Sequence, residues 1–179
     1  MKTLLTILNA KFIHSSLALR CLHTACRQKN VDVMTAEYTI NQNIYDILRH
    51  IAKAQAQVIG FSCYIWNIEM TCHLITLIKQ VYPKVIVFVG GPEVSYTARQ
   101  VLQDHPDIDY VLQGEGEEMV PAFLQKLAAG QSGIGISGVM GQRNGCIAGD
   151  DTFQEISNLD TLPFPYEGEP FRELDHKIM

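Results

Sequence analysis

The sequence predicts an α/β domain built as a doubly wound parallel sheet. Two observations carry this. Short β-type segments alternate with amphipathic helical stretches over the first 130 residues, and several of the β-type segments, VIGF and VIVFV among them, are unbroken apolar runs. Unbroken runs are the pattern of central parallel strands covered on both faces. Five β–α units in series must each return right-handed over one face of the sheet. The expected architecture is a five-stranded, flavodoxin-like (Rossmann-like) sheet in the order 2-1-3-4-5, although periodicity alone leaves other Rossmann-like orders open.

The strand candidates are residues 3–8, 31–38, 58–62, 85–89 and 110–112. Leu17, Cys21, Leu22 and Ala25 give the first helix an apolar stripe. The clearest helix covers 43–54, where Ile44, Ile47, Leu48, Ile51 and Ala52 share one face. Met70, Leu74, Leu77, Ile78 and Val81 mark the third helix, and a shorter one is expected around 96–102. Met119, Phe123, Leu124 and Leu127 mark the fifth, which Gly130 is placed to stop. Beyond it, residues 139–142 and 146–148 flank Asn144-Gly145, a tight-turn signal that predicts a small β-hairpin. From Ile156 the chain is Pro-rich and acidic, as an extended linker is. The expected organisation is an α/β domain over 1–130, a glycine-rich hairpin appendage over 131–155, and a linker over 156–179.

Composition narrows the function. The chain has 179 residues, 47% of them hydrophobic, which suffices for a packed core. A net charge of −5 with no Lys or Arg run argues against a nucleic-acid surface. The N-terminal apolar stretch is interrupted by Asn9 and Lys11, so it reads as a buried strand and not a signal peptide. No apolar run reaches the length of a membrane span, and a cytoplasmic protein is expected. The five cysteines are scattered and never spaced as CxxC, which predicts neither a disulfide framework nor a zinc or iron–sulfur site in this segment.

In open parallel sheets the ligand crevice lies beyond the C-terminal ends of the strands. The segments expected there are 9–16, 62–67, 90–95 and 113–118. Gly90-Gly91-Pro92-Glu93 would let a ligand approach the backbone closely, or would simply form a tight strand-to-helix turn. Gly114-Glu115-Gly116 lies at the same edge, and the following Glu117 and Glu118 suit a helix N-terminus while repelling a phosphate. No GxGxxG or GxxxxGK[ST] occurs, which removes the main support for ordinary dinucleotide or nucleoside-triphosphate binding. Ser62 could donate to a ligand nitrogen or to neighbouring backbone. Cys63 reads as a small buried hydrophobe, while Tyr64 and Trp66 offer flat surfaces for a large planar ligand or for core packing. His14 reads as a loop residue or a metal ligand.

In their order, LNAKFIHSSLALRCL, IGFSCYIWN, VFVGGPEVS, YVLQGEGEE and LDTLPFP resemble the cobalamin-binding domain of cobalamin-dependent radical S-adenosylmethionine proteins, over essentially the whole chain. The resemblance implies that Ser62 is the Ser of the family's S-x-L element beside the cofactor's nucleotide tail, with Tyr64 in place of Leu. It implies that Gly90 and Gly91 let that tail pass the fourth strand, and that Glu115 and Gly116 lie near the corrin edge. Cobalamin is the implied ligand, held base-off.

The first loop departs from the family pattern. Where relatives with a histidine-ligated cobalt carry D-x-H-x-x-G, this chain has Asn9, Lys11 and His14, so both the Asp and the ligating His are replaced. His14 is the candidate substitute ligand. The family's CxxxCxxC motif, which would hold a [4Fe–4S] cluster and S-adenosylmethionine, is missing too. The resemblance therefore implies a truncated chain, not catalytic alone, working with a C-terminal radical S-adenosylmethionine domain in cis for methyl transfer or related radical chemistry. Two rivals stay open: a flavodoxin-like binding or regulatory domain without cobalamin, and a stand-alone corrinoid protein.

Overall fold

The computed structural model describes residues 1–11, 15–143, 145–153 and 155–166. Five parallel strands and five helices alternate along the chain: β1 (Thr3–Asn9), α1 (Leu17–Gln28), β2 (Met34–Thr39), α2 (Ile44–Ala54), β3 (Val58–Ser62), α3 (Ile68–Val81), β4 (Ile86–Gly90), α4 (Ala98–Asp104), β5 (Tyr110–Leu112) and α5 (Gly116–Ala128). Two further strands, β6 (Val139–Arg143) and β7 (Cys146–Gly149), follow.

All the strands belong to one seven-stranded sheet, ordered β2-β1-β3-β4-β5-β6-β7. The 2-1-3-4-5 core is as expected. The hairpin, however, is no separate appendage: β6 pairs antiparallel with β5, so the five-stranded expectation undercounts the sheet. The physical reason is the short β5, whose open edge β6 covers while burying Val139 and Met140 completely. Smaller differences concern boundaries. The second strand starts at Met34 and not at 31, and the fourth helix starts at Ala98, leaving Tyr96 78% exposed outside it.

Alternation along each strand builds two cores. Leu4 and Leu8 of β1, Ile59 and Phe61 of β3, and Val87 and Val89 of β4 face a cluster closed by α2, α3 and α4. Leu5, Ile7, Val58, Phe88 and Leu112 face the opposite way, towards α1 and α5. Helix starts are fixed by local caps: Ser16 accepts from Leu19 N at 3.2 Å, and Asn43 accepts from Tyr45 N at 2.9 Å. At the other end of the sheet, Lys79 joins Asp109 at 2.6 Å, and the same carboxylate accepts from Val87 N. No helix among the described residues is long and apolar enough to cross a membrane.

Candidate functional site

The register of the central strands hollows out one face at the carboxyl edge. Leu5, Gly60 and Phe88 stand side by side across β1, β3 and β4, and one step nearer the edge so do Ile7, Ser62, Gly90 and Leu112. Two glycines and a serine thus occupy the centre of a face that is elsewhere filled by large side chains. Under α1 and α5 the result is a cavity of about 220 Å³. Its helical walls are Ala18, Leu19 and Leu22 of α1 and Gly116, Glu117 and Val120 of α5. A Cβ at Gly116 would stand 2.8 Å from Leu22 Cδ2, so the two helices meet there and close the cavity outwards.

Three loops form the rim, and they are tied to one another. The Cys63 N–H donates to Gly90 O at 2.7 Å, which holds the β3 loop against β4. Gly91 has φ +107°, and a Cβ there would fall 2.6 Å from Cys63 O, so only glycine suits this crossing. Ser95, itself buried, donates to Gly91 O at 2.9 Å and accepts from Gly114 N at 3.3 Å, linking the β4 and β5 loops. Asn67 ties β1 to β3 by donating to Leu8 O and Ser62 O, and it accepts from Tyr64 N.

The rim is acidic. Glu115 and Glu117 belong to the lining, and among the described lining residues there is no Lys, Arg or His to receive a terminal phosphate. Burial, and then the Glu117 carboxylate, push the Tyr64 hydroxyl above its ordinary pKa, and the same two causes raise the Cys21 thiol. Tyr64 stacks on Trp66 with ring centroids 4.5 Å apart and planes 11° from parallel. Trp66 stays 45% exposed, so this pair forms a flat shelf beside the opening.

Of the residues singled out from sequence, Ser62, Tyr64, Gly90, Gly91, Gly114, Glu115 and Gly116 line the cavity. Trp66 joins them through its stack on Tyr64, while Pro92 and Glu93 lie exposed on the rim. The Cys63 side chain is fully buried in the cluster on the other face of the sheet, away from the cavity, and burial pushes its thiol up. Asn9 is buried and donates to Glu37 Oε2 at 2.7 Å, whereas Lys11 is exposed. His14 lies outside the described residues. Gly60, Phe88 and Glu37 were not singled out. Alternation along VIVFVG could have put Phe88 on the face of Gly90, but Gly60 joins them only through the register of β3 against β4.

The geometry can be set beside known proteins. Residues 3–124 match the B12 binding domain family. The chain is 26% identical over 137 residues to an uncharacterized methyltransferase, PH0819, of Pyrococcus horikoshii, covering 76% of this chain and 29% of that protein. It is 36% identical over 74 residues to the cobalamin-dependent radical SAM methyltransferase TokK of Streptomyces tokunonensis, covering 41% of this chain and 10% of the relative. Its fold matches the radical S-adenosylmethionine methyltransferase TsrM of Kitasatospora setae, solved with cobalamin and a [4Fe–4S] cluster, with a TM-score of 0.66 at 19% identity. That match covers 80% of this chain and 29% of TsrM. The match thus spans less than a third of each of these proteins. Carried by the match over residues 3–124, and in agreement with the resemblance of its crevice loops, the chain belongs to the B12-binding domain family.

Proposed function

We propose that this chain holds cobalamin base-off, with the nucleotide tail in the cavity between α1 and α5 and the corrin over the rim loops. The observation that carries this is the largely apolar cavity under α1 and α5, which opens at the carboxyl edge of a B12-binding fold where Ser62 and Gly90 put no large side chain in its path. The residues fit the group: the cavity is lined mostly by apolar side chains, and at its edge Gly90 and Gly114 present no side chain to an entering tail. Ser62 and Tyr64 would border the tail, and the Tyr64–Trp66 shelf would flank the corrin. Base-off binding is supported by the first loop, where Asn9 and Lys11 stand in place of the Asp and the ligating His of relatives with a histidine-ligated cobalt.

Cobalamin, when bound, supplies the cobalt chemistry of methyl transfer. The names of the relatives support a place beside a radical S-adenosylmethionine domain in cis, which would hold the [4Fe–4S] cluster and S-adenosylmethionine in a cytoplasmic methyltransferase. This chain's own part would be to bind and orient the cofactor and to keep water from its tail.

The test is retention. The protein is mixed with hydroxocobalamin, desalted, and its visible spectrum recorded. Stoichiometric retention with a base-off spectrum is expected at about micromolar protein. The Gly90→Leu variant strains no backbone torsion, although Leu112 O, 3.3 Å from the added Cβ, must give by a few tenths of an ångström; circular dichroism should show it folded, and it should retain no corrinoid. A wild-type chain that emerges colourless refutes the assignment.

A further inference from the structure

We infer that the tail cavity selects among cobamides by their lower base, taking the apolar dimethylbenzimidazole of cobalamin and rejecting an adenine in its place. This rests on the cobalamin assignment above and specifies which member of that ligand class fits.

The walls of the cavity away from the rim are Leu5, Leu19, Leu22, Phe88 and Val120, with Leu112 beside Gly90 nearer the edge. None of these side chains carries a hydrogen-bonding group, and Leu5, Leu19, Phe88, Leu112 and Val120 are all at most 3% exposed. The strand backbone beneath cannot substitute for them. β3 is paired on both sides, with β1 and β4, and β4 is paired with β3 and β5, so their N–H and C=O groups are spent within the sheet. The polar lining groups, Ser62, Tyr64, Glu115 and Glu117, sit at or next to the rim loops.

The wall cannot readily repack to admit a polar edge. The Phe88 ring is held edge-on by Phe123 at 5.2 Å, and Phe123 in turn by Tyr110 at 5.0 Å. Dimethylbenzimidazole attached to its ribose has one free ring nitrogen and two methyl groups. Adenine attached the same way has three free ring nitrogens and an exocyclic amine. A base that enters an apolar, water-poor end with those groups unpaired loses their hydration without replacement. The two methyl groups instead gain contact with leucine and phenylalanine surface.

The experiment measures the binding of three corrinoids to the full chain by equilibrium dialysis under the same conditions: cobalamin, its adenine-based analogue, and cobinamide, which has no nucleotide tail. Once each affinity is corrected for the corrinoid's own base-on to base-off equilibrium in free solution, the adenine cobamide should bind about tenfold or more weakly than cobalamin, since each unpaired polar group costs binding. Cobinamide should also bind more weakly than cobalamin. Equal or tighter binding of the adenine cobamide overturns the selectivity while leaving cobalamin binding intact. Cobinamide binding as tightly as cobalamin overturns the placement of the tail, and the selectivity with it. Failure of all three to bind refutes the cobalamin assignment itself.

Discussion

The ring of Phe88 lies where a side chain at Gly60 would stand: a Cβ built on Gly60 falls 2.2 Å from Phe88 Cζ. These residues are register partners on β4 and β3, and the ring fills the space that the glycine leaves. Phe123 lies against the ring at 5.2 Å, so a displaced Phe88 would be driven towards the cavity. The Gly60→Ala variant should therefore lose about 1–3 kcal/mol of stability by overpacking, and its cobalamin retention should fall with it. Denaturant unfolding and the desalting test measure the two effects. Retention equal to wild type would mean that the ring moves elsewhere and that Gly60 does not shape the cavity.

Gly91 is constrained differently, by backbone and not by a movable ring. Its φ of +107° disfavours any other residue, costing about 1–3 kcal/mol for the conformation alone. The 2.6 Å approach to Cys63 O adds a collision with main chain. Gly91→Ala should thus be more damaging to folding than Gly90→Leu, which occupies space but strains no torsion. Thermal unfolding of the two variants decides this. A Gly91→Ala protein as stable as Gly90→Leu would show that the β3–β4 crossing relaxes freely.

The sheet order and most of the rim were legible in the sequence because they rest on local signals. Unbroken apolar runs mark central strands, and glycine pairs mark places where the chain must turn or be approached closely. Gly60 carried no such mark, since within VIGF it reads as one more small apolar strand residue. Its importance comes from standing opposite Phe88, a residue 28 positions on, and strand register is not encoded locally. The joining of the hairpin to β5 was hidden for the same reason, although its Asn144-Gly145 turn was plain. Glu37 reads as an ordinary charge on an edge strand, and only the fold brings it to the first loop.

That placement makes Glu37 the anchor of the first loop. Its carboxylate accepts from Asn9 Nδ2 at 2.7 Å, Ser16 N at 2.9 Å and Ser15 Oγ at 3.4 Å. Ser16 is buried, so deleting the acceptor strands its backbone N–H away from water, and Asn9 loses its bond to the carboxylate. Glu37→Ala should cost about 1–3 kcal/mol, and Glu37→Gln less, because the amide keeps one oxygen acceptor. Hydrogen exchange at Ser16 and Leu19 should quicken in Glu37→Ala. Unchanged exchange and stability would show that Ser16 caps α1 without help from β2.

Alkaline pH should unfold the protein through groups that folding holds neutral. Burial raises the Cys26 thiol from 9.0 to about 12, Cys72 from 9.0 to about 11, and the Tyr38 hydroxyl from 10.0 to about 12. Below pH 9 these thiols are protonated in both the folded and the unfolded chain, so their contribution to stability is fully present. Above it the unfolded chain ionises first, and stability drains away until the folded groups ionise near pH 11 to 12. The melting temperature should be flat between about pH 7 and 8.5 and then fall, with each such group contributing a slope of up to about 1.4 kcal/mol per pH unit. Cys26→Ala should start lower, having lost buried volume, but should fall less steeply above pH 9. A variant with the wild-type slope would mean that Cys26 reaches solvent in the folded state and ionises there as freely as in the unfolded chain.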